Sequence, residues 1–158
     1  MDTKKIAIVS GANRGIGKEI VRQLVDKGFS VIATGRSSEK LELLKNELGN
    51  DVFPMVVDIS VDESCKRFSE YLKENFKKVD VLVNNAGVMG NTNLSEFNIV
   101  EIEKVMNTNL MGTIRLAKAS IELLKNSDDA RIINVSSEMG ELRSLMVVMQ
   151  HIAFQNGP

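Results

Sequence analysis

A single cysteine, Cys65, is too few for an internal disulfide, which points to a reducing compartment. An excess of one charge is also missing. Lysine and arginine together number 20 against 21 for aspartate and glutamate, a formal net charge of −1. Proteins that grip nucleic acid or an anionic membrane carry a clear basic excess, so neither partner is expected. Long apolar runs are lacking as well. The longest, Leu145 to Phe154, is interrupted by Gln150 and His151, and it falls short of the ~20 residues a bilayer span needs. The start, Met1-Asp2-Thr3-Lys4-Lys5, leads into a strand-like run without a signal-peptide pattern. The expected location is the cytoplasm. The one histidine, His151, has no cysteine or carboxylate at metal-ligand spacing, so no metal site is expected.

What remains is ordinary globular composition, 43% hydrophobic and 26% charged, at the length of one domain. Strand-like runs at Ile6–Ser10, Ser30–Thr34, Val52–Val57, Val79–Asn84 and Arg131–Ser136 alternate with helical spacing. Ile16, Ile20 and Leu24 share one helical face before Gly28, which stands at a helix C-terminal position. Leu41, Leu44 and Leu48 repeat in the second helix, and Cys65, Phe68, Leu72 and Phe76 in the third, where Ser60 and Glu63 have capping-box spacing. A long helix over Ile99–Lys125 carries the stripe Ile102, Met106, Leu110, Ala117, Ile121 and Leu124. Alternation of this kind implies an α/β fold, a doubly wound parallel sheet of Rossmann type in the order 3-2-1-4-5, with a ligand crevice between strands 1 and 4. The rhythm breaks after Ser137. Residues 1–144 therefore read as a dinucleotide-binding domain, incomplete on its C-terminal side, and 145–158 as an unmatched tail. An uncovered fifth strand would leave an edge for the tail or a partner to pair with.

Between the first strand and first helix lies Ser10-Gly11-Ala12-Asn13-Arg14-Gly15-Ile16-Gly17. Glycine lets backbone approach a ligand closely. A helix start offers unpaired N–H groups and partial positive charge, a natural seat for a pyrophosphate. The plain alternative is a tight turn that needs small residues.

The whole set of motifs resembles the short-chain dehydrogenase/reductase family over residues 4 to about 144. Four stretches match in order: Gly11-x-x-x-Gly15-Ile16-Gly17; Asp58-Ile59; Asn84-Asn85-Ala86-Gly87; and Asn109-Leu110-Met111-Gly112 followed by Ile133-Asn134-Val135-Ser136-Ser137. Val135 to Ser144 has the flavour of monomeric carbonyl reductases and related plant ketone reductases. The resemblance implies a cofactor site that includes Gly11, Asn13, Arg14, Gly15, Ile16 and Gly17. Asp58 would contact adenine, with Ile59 beside it, and Asn85, Ala86 and Gly87 would border the cofactor.

The end of strand 2 decides which dinucleotide is expected. A carboxylate there would hold the ribose hydroxyls of NAD(H), but the residue is Arg36. Its guanidinium can pair with a 2′-phosphate, and Arg14 in the glycine loop is a second cation. NADP(H) is expected over NAD(H). The alternative is that both are solvated surface residues.

The family's chemistry, as the resemblance implies it, is hydride exchange between nicotinamide and a carbonyl or alcohol. It uses a serine, an asparagine and a Tyr-x-x-x-Lys pair. Ser137 matches the serine, with Ser136 as fallback. Asn109 matches the asparagine; it falls on the long helix's apolar stripe and should need a backbone or water network. The pair has no match. The only tyrosine, Tyr71, precedes strand 4, and the residue four further on is Asn75. This fits a truncated, alternatively spliced or frame-shifted reductase of small carbonyl compounds. Two other readings stay open: a non-catalytic NADP(H)-binding module, and a non-functional product.

Overall fold

The structure is a computed structural model that describes residues 4–90, 98–137 and 145–151, with backbone only from 137 onward. Apolar runs too short for helices form the strands β1 (Ile6–Ser10), β2 (Ser30–Gly35), β3 (Val52–Val56), β4 (Val81–Asn84) and β5 (Arg131–Ser137). The segments with helical spacing form α1 (Gly15–Asp26), α2 (Ser38–Leu48) and α3 (Asp62–Asn75). The expected long helix is interrupted: α4 (Ile99–Met106) and α5 (Gly112–Leu124) flank a π-helical turn, Asn107–Met111.

The first five strands are parallel, in the order β3-β2-β1-β4-β5. A sixth strand, β6 (Leu145–His151), pairs antiparallel with β5, from Arg131 opposite His151 to Ser137 opposite Leu145. The stretch whose rhythm breaks after Ser137 thus contributes a strand to the edge of β5.

Because strands alternate their side chains, the sheet has two apolar faces. On one, Ile8, Ile32, Leu82 and Ile132 meet Phe68 and Leu72 of α3 and Leu116, Leu123 and Leu124 of α5. On the other, Val9, Val31, Ala33 and Val83 meet Val21 of α1 and Leu41 and Leu44 of α2. This is the doubly wound arrangement that the alternation predicts. No helix among the described residues is long and apolar enough to cross a membrane.

Two local expectations are corrected. The capping box does not form at α3. Its N-cap is Val61 and has no side-chain cap bond, because Ser60 turns back to Asp58, donating both its N–H (2.9 Å) and its hydroxyl (2.6 Å) to Oδ1. The long-helix stripe is not a continuous core face either. Ile102, Met106 and Leu110 are exposed, and the buried row of α5 runs through Gly112, Leu116, Ala119, Ser120, Leu123 and Leu124, of which the stripe held only Leu124. A π-turn adds a residue to the helix and rotates the faces on its two sides relative to each other.

Candidate nucleotide-binding site

The strand order reverses between β1 and β4, and the loops leaving their C-terminal ends must separate there to opposite sides of the sheet. Ser10 ties the two ends together. Its hydroxyl accepts the N–H groups of Asn85 and Ala86, both at 3.0 Å, and donates to the Val83 carbonyl at 3.4 Å. Asn85 answers with Nδ2, which donates to the carbonyls of Ser10 (3.0 Å) and Gly11 (3.3 Å). One step back, Asn84 Nδ2 donates to Asn134 Oδ1 at 2.9 Å across β4 and β5, while buried Asn84 Oδ1 has no hydrogen-bond partner among the described residues.

The glycine loop is built for close approach. A Cβ on Gly17 would lie 2.2 Å from the Gly11 carbonyl oxygen, and one on Gly11 would lie 2.9 Å from the Ala86 Cα. Gly15 differs. Its surroundings are open, and glycine is favoured by its φ of +52°. The loop then enters α1 with no side-chain cap at Arg14, so the first N–H groups of the helix are not taken by a capping side chain.

These pieces enclose a cleft of about 740 Å³. Its wall includes Gly11, Asn13, Arg14, Gly15, Ile16 and Gly17 from the loop, Arg36 from the end of β2, Asp58 and Ile59 after β3, and Asn85, Ala86 and Gly87 after β4. The structure therefore brings all twelve sequence-predicted cofactor residues to one cavity. Ile16, placed on the core face by spacing alone, is 48% exposed and lines the cleft instead. The buried α1 residues are Gly17 and Val21. Ile59 is nearly buried and packs closely under Gly112. The Asp58 carboxyl is held below the ordinary carboxylate range, first by the Ser60 hydroxyl, against a smaller opposing effect of burial, and with help from the Ser60 N–H and the Arg36 charge.

Of the two proposed catalytic positions, Asn109 is not part of this wall. Asn109 sits in the π-turn and is exposed, not buried as the apolar stripe suggested. The backbone network expected of it is nonetheless present: Oδ1 accepts the Val88 N–H at 2.8 Å and Nδ2 donates to the Val88 carbonyl at 2.9 Å. Its neighbour Asn107 donates to the Ser60 carbonyl at 3.1 Å. The π-turn thus holds both the loop after β3 and the loop after β4. Ser137 ends β5, opposite Leu145; its side chain lies outside what the structure describes, and Ser136 is exposed. Tyr71 is on α3, where its ring meets Phe76 edge-on at 6.0 Å, and it takes no part in the cleft.

The structure adds wall residues that motif spacing did not single out, among them Ser10, Thr34, Ser37, Lys40, Val88 and Thr108. Ser10 carries a faint signal, a polar residue at the buried end of an apolar strand. Lys40 carries none, since it reads as an ordinary helix lysine.

The family model for short chain dehydrogenases matches residues 5–149. A (+)-neomenthol dehydrogenase of Arabidopsis thaliana is 37% identical over 170 aligned positions, covering 92% of this chain and 57% of its own. An alcohol dehydrogenase of Thermococcus sibiricus, solved with 5-hydroxy-NADP, is 37% identical with a TM-score of 0.72, covering 78% of this chain and 55% of its own. A 3-ketoacyl-(acyl-carrier-protein) reductase of Brucella melitensis, solved with NADH, is 27% identical with a TM-score of 0.78, covering 84% and 57%. The chain spans a little over half the length of the curated relatives it matches. With the family match spanning most of the chain and the fold in agreement with these proteins, the chain belongs to the short-chain dehydrogenase family of hydride-transferring oxidoreductases.

Proposed function

We propose that this chain seats NADP(H) in preference to NAD(H), as the nucleotide-binding portion of a cytoplasmic reductase of carbonyl compounds. The observation that carries the reading is the placement of Arg14 and Arg36 on a cleft whose wall holds one carboxylate, Asp58. Relatives of this chain were solved with both kinds of dinucleotide, so the preference rests on this chain's own charges. A guanidinium recognises a phosphate through paired, charge-assisted hydrogen bonds, and one such bond contributes roughly 1.5–3 kcal/mol.

The residues fit the group. The Gly11–Gly17 cradle leaves backbone bare at a helix start, where a pyrophosphate is favoured. Asp58 and Ile59 take the adenine end, and Asn85 to Gly87 border the rest. When bound, the dinucleotide supplies or accepts the hydride. Ser137 is assigned to the substrate oxygen and Asn109 to a water-linked proton relay. No Tyr-x-x-x-Lys follows Ser137 within these 158 residues, and loss of general acid–base assistance lowers rates by about 10²–10⁴. By themselves these residues are expected to turn over little or no substrate.

A thermal melt with NADPH, with NADH and with neither tests the preference. Ligand at a hundredfold excess over Kd stabilises by about 2.7 kcal/mol, so NADPH should raise Tm well above the NADH value. Arg36→Ala should weaken NADPH binding about tenfold to a hundredfold and leave NADH binding unchanged. Equal losses for both would reject the reading. NADPH oxidation with quinone or isatin-like carbonyls at a full reductase's rate would reject the expected inactivity.

A further inference from the structure

We infer that Arg115 is a positioning residue that holds the π-turn in register and thereby sets Asn109 against the loop after β4. This rests on the part given to Asn109 under the proposed function, and it names what keeps that side chain in place. In an uninterrupted α-helix the Asn107 carbonyl would accept the Met111 N–H. In the π-turn it accepts the Gly112 N–H instead. Side chains lean toward the N-terminus of their helix, so Arg115 of α5 reaches back toward the turn. Its Nη1 donates to the same Asn107 carbonyl at 3.2 Å. Thr113 acts alongside it, donating Oγ1 to the Asn109 carbonyl at 2.8 Å.

The guanidinium is held from its other side as well. Nε pairs with Oδ1 of Asp62, the first residue of α3. The Arg115 side chain is 20% exposed and that of Asp62 is 74% exposed. An ion pair with so exposed a carboxylate contributes little stability; what it does is aim the guanidinium at the carbonyl. Asn107 is gripped at its far end too, where Nδ2 donates to the Ser60 carbonyl at 3.1 Å. Beside it, a Cβ on Gly112 would come 2.7 Å from Ile59 Cγ1. The turn is thus fixed to the loop after β3, while Asn109 closes both polar groups of Val88 after β4. Relaxation to α-helical register would turn the chain before Gly112 by about 100° around the helix axis and carry Asn109 away from Val88.

Amide hydrogen exchange of the full chain without ligand tests this. Val88 reports the clamp, and Ile8 in β1 reports global opening. Arg115→Met keeps an apolar stem and removes the donors. It should speed exchange at Val88 about fivefold to tenfold relative to Ile8. Asp62→Asn removes the partner's charge but leaves the guanidinium on the Asn107 carbonyl, so Val88 should exchange as in the parent chain. If both variants speed Val88 alike, Arg115 serves only as an ion pair between α3 and α5, and the inference is overturned. It is overturned equally if Arg115→Met leaves Val88 unchanged, or if Ile8 shares the whole change. In the parent chain the Arg115 guanidinium protons should exchange more slowly than those of exposed Arg67. Matching rates there would overturn the placement even where Arg115→Met fails to fold. None of these measurements uses a dinucleotide, so their failure leaves the NADP(H) reading standing, and a chain that does not bind NADPH can still pass them.

Discussion

Where the strands begin, charged groups meet partners; where they end, cations face an open cleft without them. Asp80, just before β4, is 3% exposed and is held from three directions. Its carboxylate accepts the Ile6 N–H at 2.8 Å, the Ser127 hydroxyl at 2.7 Å and the Lys78 ammonium at 3.1 Å. Nearby, Asp129 takes Arg131 at 3.1 Å and Lys5 at 3.8 Å. At the opposite end the framework is just as tightly bonded through Ser10 and Asn85, yet Arg14, Arg36 and Lys40 stand on the cleft wall with no carboxylate in ion-pair range among the described residues. The first arrangement closes a structure on itself. The second leaves its charge for something that is not part of the chain.

Substitutions at the two ends should therefore fail in different ways. The largest effect is expected at the cleft. Gly17→Ala places a Cβ 2.2 Å from the Gly11 carbonyl, and backbone on both sides must move. Binding of NADPH should fall by more than about a hundredfold as the cradle is lost, read by titration. Retained affinity would show that the loop reshapes freely.

Next comes Asp80→Ala, which leaves the Lys78 ammonium, the Ser127 hydroxyl and the Ile6 N–H without their carboxylate. Leaving a buried donor without its partner costs about 1–3 kcal/mol, so Tm should drop, while the preference for NADPH over NADH persists in whatever folds. Acid should reproduce part of this loss. Burial alone would raise the Asp80 carboxyl, but the Ser127 hydroxyl, the Ile6 N–H and Lys78 outweigh it and hold it below the ordinary range. A carboxyl lowered on folding stabilises above its unfolded value, and that contribution disappears as pH falls through the folded value. Denaturation midpoints of the parent chain should therefore fall below about pH 4, and those of Asp80→Asn should fall less.

Much of the open end was legible in the sequence, and the reasons are local. Gly11 and Gly17 are required by steric contacts that no other residue tolerates, so their spacing alone places the cradle. Arg36 is legible because the end of β2 is fixed by an apolar run. What stayed hidden depends on contacts between distant segments. Lys40 reads as a solvated helix lysine until the fold sets it on the same cleft wall as Arg14. The Ser60 capping box failed because Asp58, two residues upstream, competes for the same hydroxyl. The long-helix stripe was misread because an apolar period of 3.6 carries no mark of a π-turn. The extra residue separates an exposed row, Met106 and Leu110, from the buried row that begins at Gly112. The closed end was the least legible part, since Asp80, Ser127 and Ile6 are far apart in the chain and none belongs to a motif.

The smallest effect is expected at the joint between helix and cleft. Asn109 satisfies both the N–H and the carbonyl of Val88, yet it is exposed, so water can replace either bond. Asn109→Ala should then cost only about 1 kcal/mol, a fall in Tm of about 3–5 °C for a chain of this size. Asn109→Asp should cost at least as much, because the carboxylate oxygen that replaces Nδ2 is an acceptor set against the Val88 carbonyl. Neither change touches the cationic seat, so the ratio of NADPH to NADH affinity should stay at the parent value. A ratio that moved with Asn109 would mean that the loop after β4 and the seat beside β2 are coupled across the cleft. The two sides would then no longer count as independent parts of one open end.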